Sequence, residues 1–141
     1  MRCSKDQFLS FYAGDEALWA LLNSTPSSYA ELVGRYLPSK LWRMNNLYSI
    51  IDKSGEKVRF RMNFAQLKVY GASLVHPRLI ILKSRQQGIS TFWLLSYLDD
   101  CLFNSNLNAG LMAQGRDEAS TLLERLKFAW VELPEWVKGF L

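Results

Sequence analysis

Hydrophobic positions along the chain change their period several times, and each change marks an element. Phe8, Leu9, Phe11 and Tyr12, then Ala17, Leu18, Trp19, Leu21 and Leu22, recur as one or two short helices broken near Gly14. Asn23-Ser24-Thr25-Pro26-Ser27-Ser28 reads as a loop ending in a helix cap. From Ser28, the residues Tyr29, Leu32, Val33 and Tyr36 keep helical spacing until Leu37-Pro38 stops them. The period then drops to two. Leu47–Ile51, the turn Asp52–Glu56 and Lys57–Met62 predict a β-hairpin, with Val58, Phe60 and Met62 on one face and Lys57, Arg59 and Arg61 on the other. The plain reading of that second face is a solvated one; a phosphate- or DNA-facing role for Arg59 and Arg61 is the alternative.

A short helix, Asn63 to Tyr70, follows with Asn63 as its N-cap, and Gly71 to Pro77 reads as a loop. Arg78–Leu82 is a short apolar strand, and a helix runs from about Ser90 to Leu102. Ala109–Ala113 is a second apolar strand. A helix from about Asp117 to Glu132 carries Leu122, Leu123, Leu126, Phe128 and Trp130 before Leu133-Pro134 closes it. From Arg78 onward the order is strand, helix, strand, helix. That order predicts an α/β core with parallel strands and right-handed crossovers, preceded by N-terminal helices and the hairpin.

Composition narrows the class without naming a ligand. With 141 residues and 49% apolar content there is room for one domain with its own core. The net charge of +4 suits a polyanionic ligand, but the cations are spread along the chain and form no basic tail. Cys3 and Cys101 lack metal-ligand spacing and read as reduced thiols, and the lone His76 sits in a loop. Neither a secretory leader nor a run of ~18 apolar residues is visible, so a soluble intracellular protein is expected.

The candidate chemistry lies between the first apolar strand and its helix. Lys83-Ser84-Arg85-Gln86-Gln87-Gly88-Ile89-Ser90-Thr91 follows Leu79-Ile80-Ile81-Leu82 directly. A buried strand running into a Gly-Ser-Thr turn and a helix presents backbone N–H groups and a helix N-terminus to phosphate. Against the standard Gly-x-x-x-x-Gly-Lys-[Ser/Thr] loop, the chain keeps Gly88 and the hydroxyl of Ser90. It has Lys83 in place of the first glycine and Ile89 in place of the lysine. Gly88 permits close backbone approach, Ser90 is the candidate Mg²⁺ ligand with Thr91 as runner-up, and Lys83 and Arg85 supply cations. The plain alternative is an ordinary strand-to-helix turn with Ser90 as the helix cap and both cations in solvent. Spacing alone leaves the two open.

Two acidic pairs bear on this. Leu94–Asp100 has the apolar-run-then-acid pattern of a Walker B strand, yet it lies in the helix that must follow the loop. Asp117-Glu118 reads as an electrostatic aid to the start of the last long helix.

Leu47-Tyr48, Asn63-Phe64-Ala65-Gln66, Lys83–Thr91 and Ala113-Gln114 together resemble the N-terminal ATPase region of the large terminase subunit, the DNA-packaging motor of tailed bacteriophages. The similarity spans roughly residues 43 to 135, and 1–42 is a separate helical segment without an assigned motif. Many members of that family carry an Arg-Gln-x-Gly-x-Ser/Thr loop, and a subset moves the lysine to the front of it, as with Lys83. The resemblance implies an incomplete P-loop NTPase core (ASCE-like) in 43–141, with Lys83, Ser84, Arg85, Gln86, Gln87, Gly88, Ile89, Ser90 and Thr91 as the ATP-binding loop. It implies Gln66 as the adenine-reading glutamine, since a carboxamide pairs with the N7 acceptor and N6 donor of adenine. Tyr48 and Phe64 are both candidates for an aromatic wall.

Family members continue into a Walker B strand, a catalytic Glu, a coupling motif and a nuclease domain, none of which fits the 51 residues from Thr91 to Leu141. The expectation is therefore the ATP-binding portion of a packaging motor, as a fragment or truncated form in the bacterial cytoplasm, with negligible turnover of its own. ATP, Mg²⁺, double-stranded DNA, the small terminase subunit and the portal are the implied ligands and partners, with a second chain completing the ATPase domain as an option. A non-catalytic interaction module with a vestigial loop, docking through its aromatic helices and Trp130/Trp136, is the rival. A helicase-like ATPase piece is a third reading, which Ile89 disfavours.

Overall fold

The structure, a computed structural model, describes residues 3–76, 78–82, 87–139 and 141. Helix α1 (Lys5–Phe11) starts at a reciprocal Ser4/Gln7 cap, and Gly14 at φ 79° turns the chain into α2 (Glu16–Asn23), capped by Asp15. A short α3 (Tyr29–Glu31), capped by Ser28, runs on as a π-helical turn over Leu32–Tyr36. Helix α4 (Lys40–Asn46) follows; the sequence pattern had not marked it. Every residue from Leu41 to Tyr48 is buried, so α4 has no polar face to set up a helical period. Position 42/43, the expected boundary of an N-terminal segment, falls inside this helix.

Strands β1 (Ser49–Ile51) and β2 (Lys57–Arg59) pair antiparallel, with Ile50 opposite Val58. The Asp52 carboxylate fixes the turn by accepting from the Ser54 N–H, the Ser54 hydroxyl and the Glu56 N–H. Those hydrogen bonds hold its pKa below the ordinary value. Phe60 and Met62 are buried, Lys57 and Arg59 are exposed with Lys57 paired to Glu132, and Arg61 is half-buried.

Helix α5 (Phe64–Val75) runs five residues past the expected Tyr70 end because Gly71 lies within it. A Cβ there would sit 3.0 Å from the Phe11 ring, so this glycine admits α1 against α5 rather than ending the helix. Helices α6 (Ile89–Phe103) and α7 (Arg116–Val131) fall within about one residue of expectation, and α8 (Glu135–Lys138) closes the described chain.

One core joins these elements. Phe8, Met44, Tyr48, Phe92 and Val137 are its largest fully buried apolar members, drawn from α1, α4, the approach to β1, α6 and α8. Across it, Arg43 Nε donates to both Asp99 carboxylate oxygens (3.0 and 3.2 Å) and Arg43 Nη2 to Oδ2 (2.6 Å). The Tyr48 hydroxyl donates to Oδ1 (2.8 Å), and Arg43 also reaches the Leu37 carbonyl and lies over the Phe103 ring. Charges this deep persist only when paired and hydrogen-bonded, as these are.

Among the described residues the only sheet is the two-stranded hairpin. Residues 78–82 and 109–113, expected as parallel strands, are unpaired there, and Ile80, Leu82 and Met112 are 93%, 95% and 96% exposed. A strand that is apolar on both faces needs neighbours to bury it. Among the described residues, no helix is long and apolar enough to cross a membrane.

Candidate functional site

Lys83, Ser84, Arg85 and Gln86 lie outside the described residues; Gln87, Gly88, Ile89, Ser90 and Thr91 lie within them. Gly88 takes the left-handed conformation (φ 69°, ψ 15°) at the N-cap of α6, with no side-chain cap. Ser90 is inside the first turn and exposed, so it does not cap the helix, and its hydroxyl has no hydrogen-bond partner among the described residues. Ile89 is buried and anchors the turn, and Thr91 is half-buried. The leading N–H groups of a helix have no intrahelical acceptor, so α6 presents donors and the positive end of its dipole here.

Gln66 meets this turn directly. Its Nε2 donates to the Gly88 carbonyl (2.9 Å), and a Cβ on Gly88 would stand 2.7 Å from that nitrogen. Gln66 Oε1 accepts from the Asn63 N–H (2.8 Å), while Asn63 Oδ1 accepts from the Gln66 N–H (2.9 Å), forming a reciprocal cap on α5. Asn63 Nδ2 in turn donates to the Gln87 carbonyl (3.1 Å). Gln66 is 3% exposed, so both ends of its carboxamide face protein.

A cavity of about 950 Å³ opens beside the turn. Gly88, Ser90 and Thr91 line one wall, Ile50 and Lys53 of the hairpin another, and Arg125 of α7 a third. Its volume is at the upper end of the range for small-molecule sites. Arg125 had no role in the sequence pattern, which showed it only as a polar position on α7. The hairpin places Lys53 at the cavity but turns Arg59 and Arg61 elsewhere; Arg61 reaches Asn23.

The other expected groups are placed as follows. Tyr48 is fully buried with its hydroxyl on Asp99, so neither ring face is open to a base. Phe64 is half-buried, edge-on to Phe11 and under the Lys68 ammonium. Asp99 and Asp100 lie on α6 and are paired, Asp99 with Arg43 and Asp100 with Lys40 (2.7 Å). Asp117 and Glu118 occupy the first turn of α7. Among the described residues no three His, Cys, Asp or Glu side chains cluster as a metal site.

Comparison with protein-family models, with curated proteins and with solved structures found no match to the chain.

Proposed function

We propose that this chain is the ATP-binding portion of a DNA-packaging motor of the large-terminase type, with the nucleotide's phosphates at the N-terminus of α6. The observation that carries the proposal is the contact between Gln66 and Gly88. The family resemblance assigns these two residues to one nucleotide site, and they are hydrogen-bonded at 2.9 Å, with Gly88 lining the cavity. In this reading Gly88 to Thr91 seat the phosphates through backbone N–H groups. Lys83 and Arg85 offset their charge, and Arg125 faces them from α7.

Mg²⁺ suits the same turn. Ser90 offers an exposed hydroxyl with no partner among the described residues, the hard oxygen donor that this ion takes alongside phosphate oxygens and water. Bound there, the ion would neutralise phosphate charge. Adenine reading by Gln66 requires its carboxamide to exchange a protein partner for the base.

An α/β core is part of the proposal. Segments 78–82 and 109–113 are apolar and exposed, as parallel strands are before their neighbours join. The carboxylates of Asp99 and Asp100 are held by Arg43 and Lys40, so in this reading neither of them activates water.

The same exposed apolar segments favour the rival reading, a non-catalytic module that docks a packaging partner. Thermal unfolding with Mg²⁺-ATP separates the two. A ligand at 100 times its Kd adds about 2.7 kcal/mol, a shift of several degrees for a domain of this size. The proposal expects that shift and its loss in Gln66→Ala and in Lys83→Ala; no shift in the unsubstituted chain favours the docking module.

A further inference from the structure

We infer that Asn63 and Gln66 are positioning residues for the phosphate-binding turn, so that they set affinity for the phosphates themselves, independently of any base. The inference rests on the nucleotide reading above and deepens it.

The choice of residue types carries the argument. A capping box needs one acceptor at the N-cap and one at the third helical position, and Ser with Glu provides both. Asn63 and Gln66 make those two bonds with their oxygens, and each keeps an amide donor that Ser and Glu lack for this purpose. Both spare donors are used on the same target. Asn63 Nδ2 takes the Gln87 carbonyl and Gln66 Nε2 takes the Gly88 carbonyl, 24 and 22 residues downstream.

The Gly88 carbonyl also accepts the Phe92 N–H (3.0 Å), the first rung of α6, so Gln66 grips the residue from which that helix grows. Phe92 is fully buried and fixes the rung from the other side. With Gly88 left-handed and no room for a Cβ before Gln66, the turn is held on one path. The direction of the N–H groups at Ile89, Ser90 and Thr91 follows from that path. Freeing residues 87 and 88 would let the donors splay and lower their combined pull on a phosphate.

Base-free phosphate is the discriminating probe. Mg²⁺-tripolyphosphate and Mg²⁺-ATP are titrated calorimetrically into the full chain and into Gln66→Met and Asn63→Ser. Both substitutions are uncharged, so neither repels phosphate, and Ser still caps α5. Positioning predicts that tripolyphosphate and ATP weaken together, by about tenfold for Gln66→Met, which loses the bond to Gly88 and its cap bond from the Asn63 N–H, and severalfold for Asn63→Ser, which loses only the bond to Gln87. Thermal melts verify that each variant is folded; if Gln66→Met is not, Asn63→Ser carries the test.

Weakening of ATP alone, with tripolyphosphate unchanged, would make Gln66 purely a base reader and overturn the inference while leaving the nucleotide site standing. An unsubstituted chain that binds neither ligand would remove the nucleotide reading, and this inference with it.

Discussion

The two ends of the loop-bearing region are built on opposite principles. Toward its C-terminal half, α6 is locked to α4 and the hairpin by Arg43, Asp99 and Tyr48, every charge paired inside an apolar shell. Before and beyond α6, residues 78–82 and 107–112 lay Ile80, Leu82, Leu111 and Met112 against solvent. The first region satisfies itself and sets stability. The second leaves large apolar side chains uncovered among the described residues.

The largest effects belong to the buried network. Arg43→Ala strands the Asp99 carboxylate at 0% exposure. It should cost about 3–5 kcal/mol in urea denaturation, as breaking a buried pair does. A loss below about 1 kcal/mol would mean that water reaches Asp99 and that the locked end is not locked.

Tyr48→Phe is milder, removing one hydrogen bond to a charged group for about 1–3 kcal/mol. It also carries a pH signature. Burial first, then the Asp99 charge, push the Tyr48 pKa upward, while unfolding returns it to its ordinary value of 10. Above that pH the unfolded chain has lost a proton that the folded chain retains, so stability falls as pH rises through and beyond 10. Tyr12, held up to about 12 by burial, acts in the same direction over a narrower range. Tyr48→Phe should flatten the decline in a stability-against-pH series, and an unaltered slope would place its cause elsewhere.

The local elements were legible beforehand, but this division was not: Tyr48 read as a wall for a base, and 78–82 as a buried strand. The Asp52–Glu56 turn, the Asn63 cap and both ends of α6 and α7 followed from local chemistry that tertiary packing leaves intact. Helix α4 did not, because burial on every side erases helical periodicity and its polar residues Arg43, Asn45 and Asn46 point inward to partners far along the chain. Gly71 misled for a related reason. Its missing side chain serves a neighbouring helix, and a sequence read one window at a time cannot display that.

In the site, residue types alone read Gln66 as a surface side chain; only the family resemblance linked it to the Gly88 turn, and the structure shows it buried and hydrogen-bonded to the Gly88 carbonyl. Arg125 was not, since nothing local links α7 to the hairpin. The Asn63–Gln87 bond left a faint signal in the choice of Asn over Ser at a cap whose third position is Gln.

The smallest stability effect belongs to the exposed region. The double substitution Ile80→Lys with Leu82→Lys should change unfolding free energy by no more than about 0.5 kcal/mol, as for other exposed positions. A large destabilisation would mean that these side chains are buried and would erase the contrast between the regions.

The most direct test of the nucleotide site is amide hydrogen exchange on the full chain with and without Mg²⁺-ATP. The account predicts slowed exchange concentrated in residues 87–92, with a smaller effect at residues 63–67, and its disappearance in Lys83→Ala. Unchanged exchange across residues 87–92 at saturating Mg²⁺-ATP would contradict it.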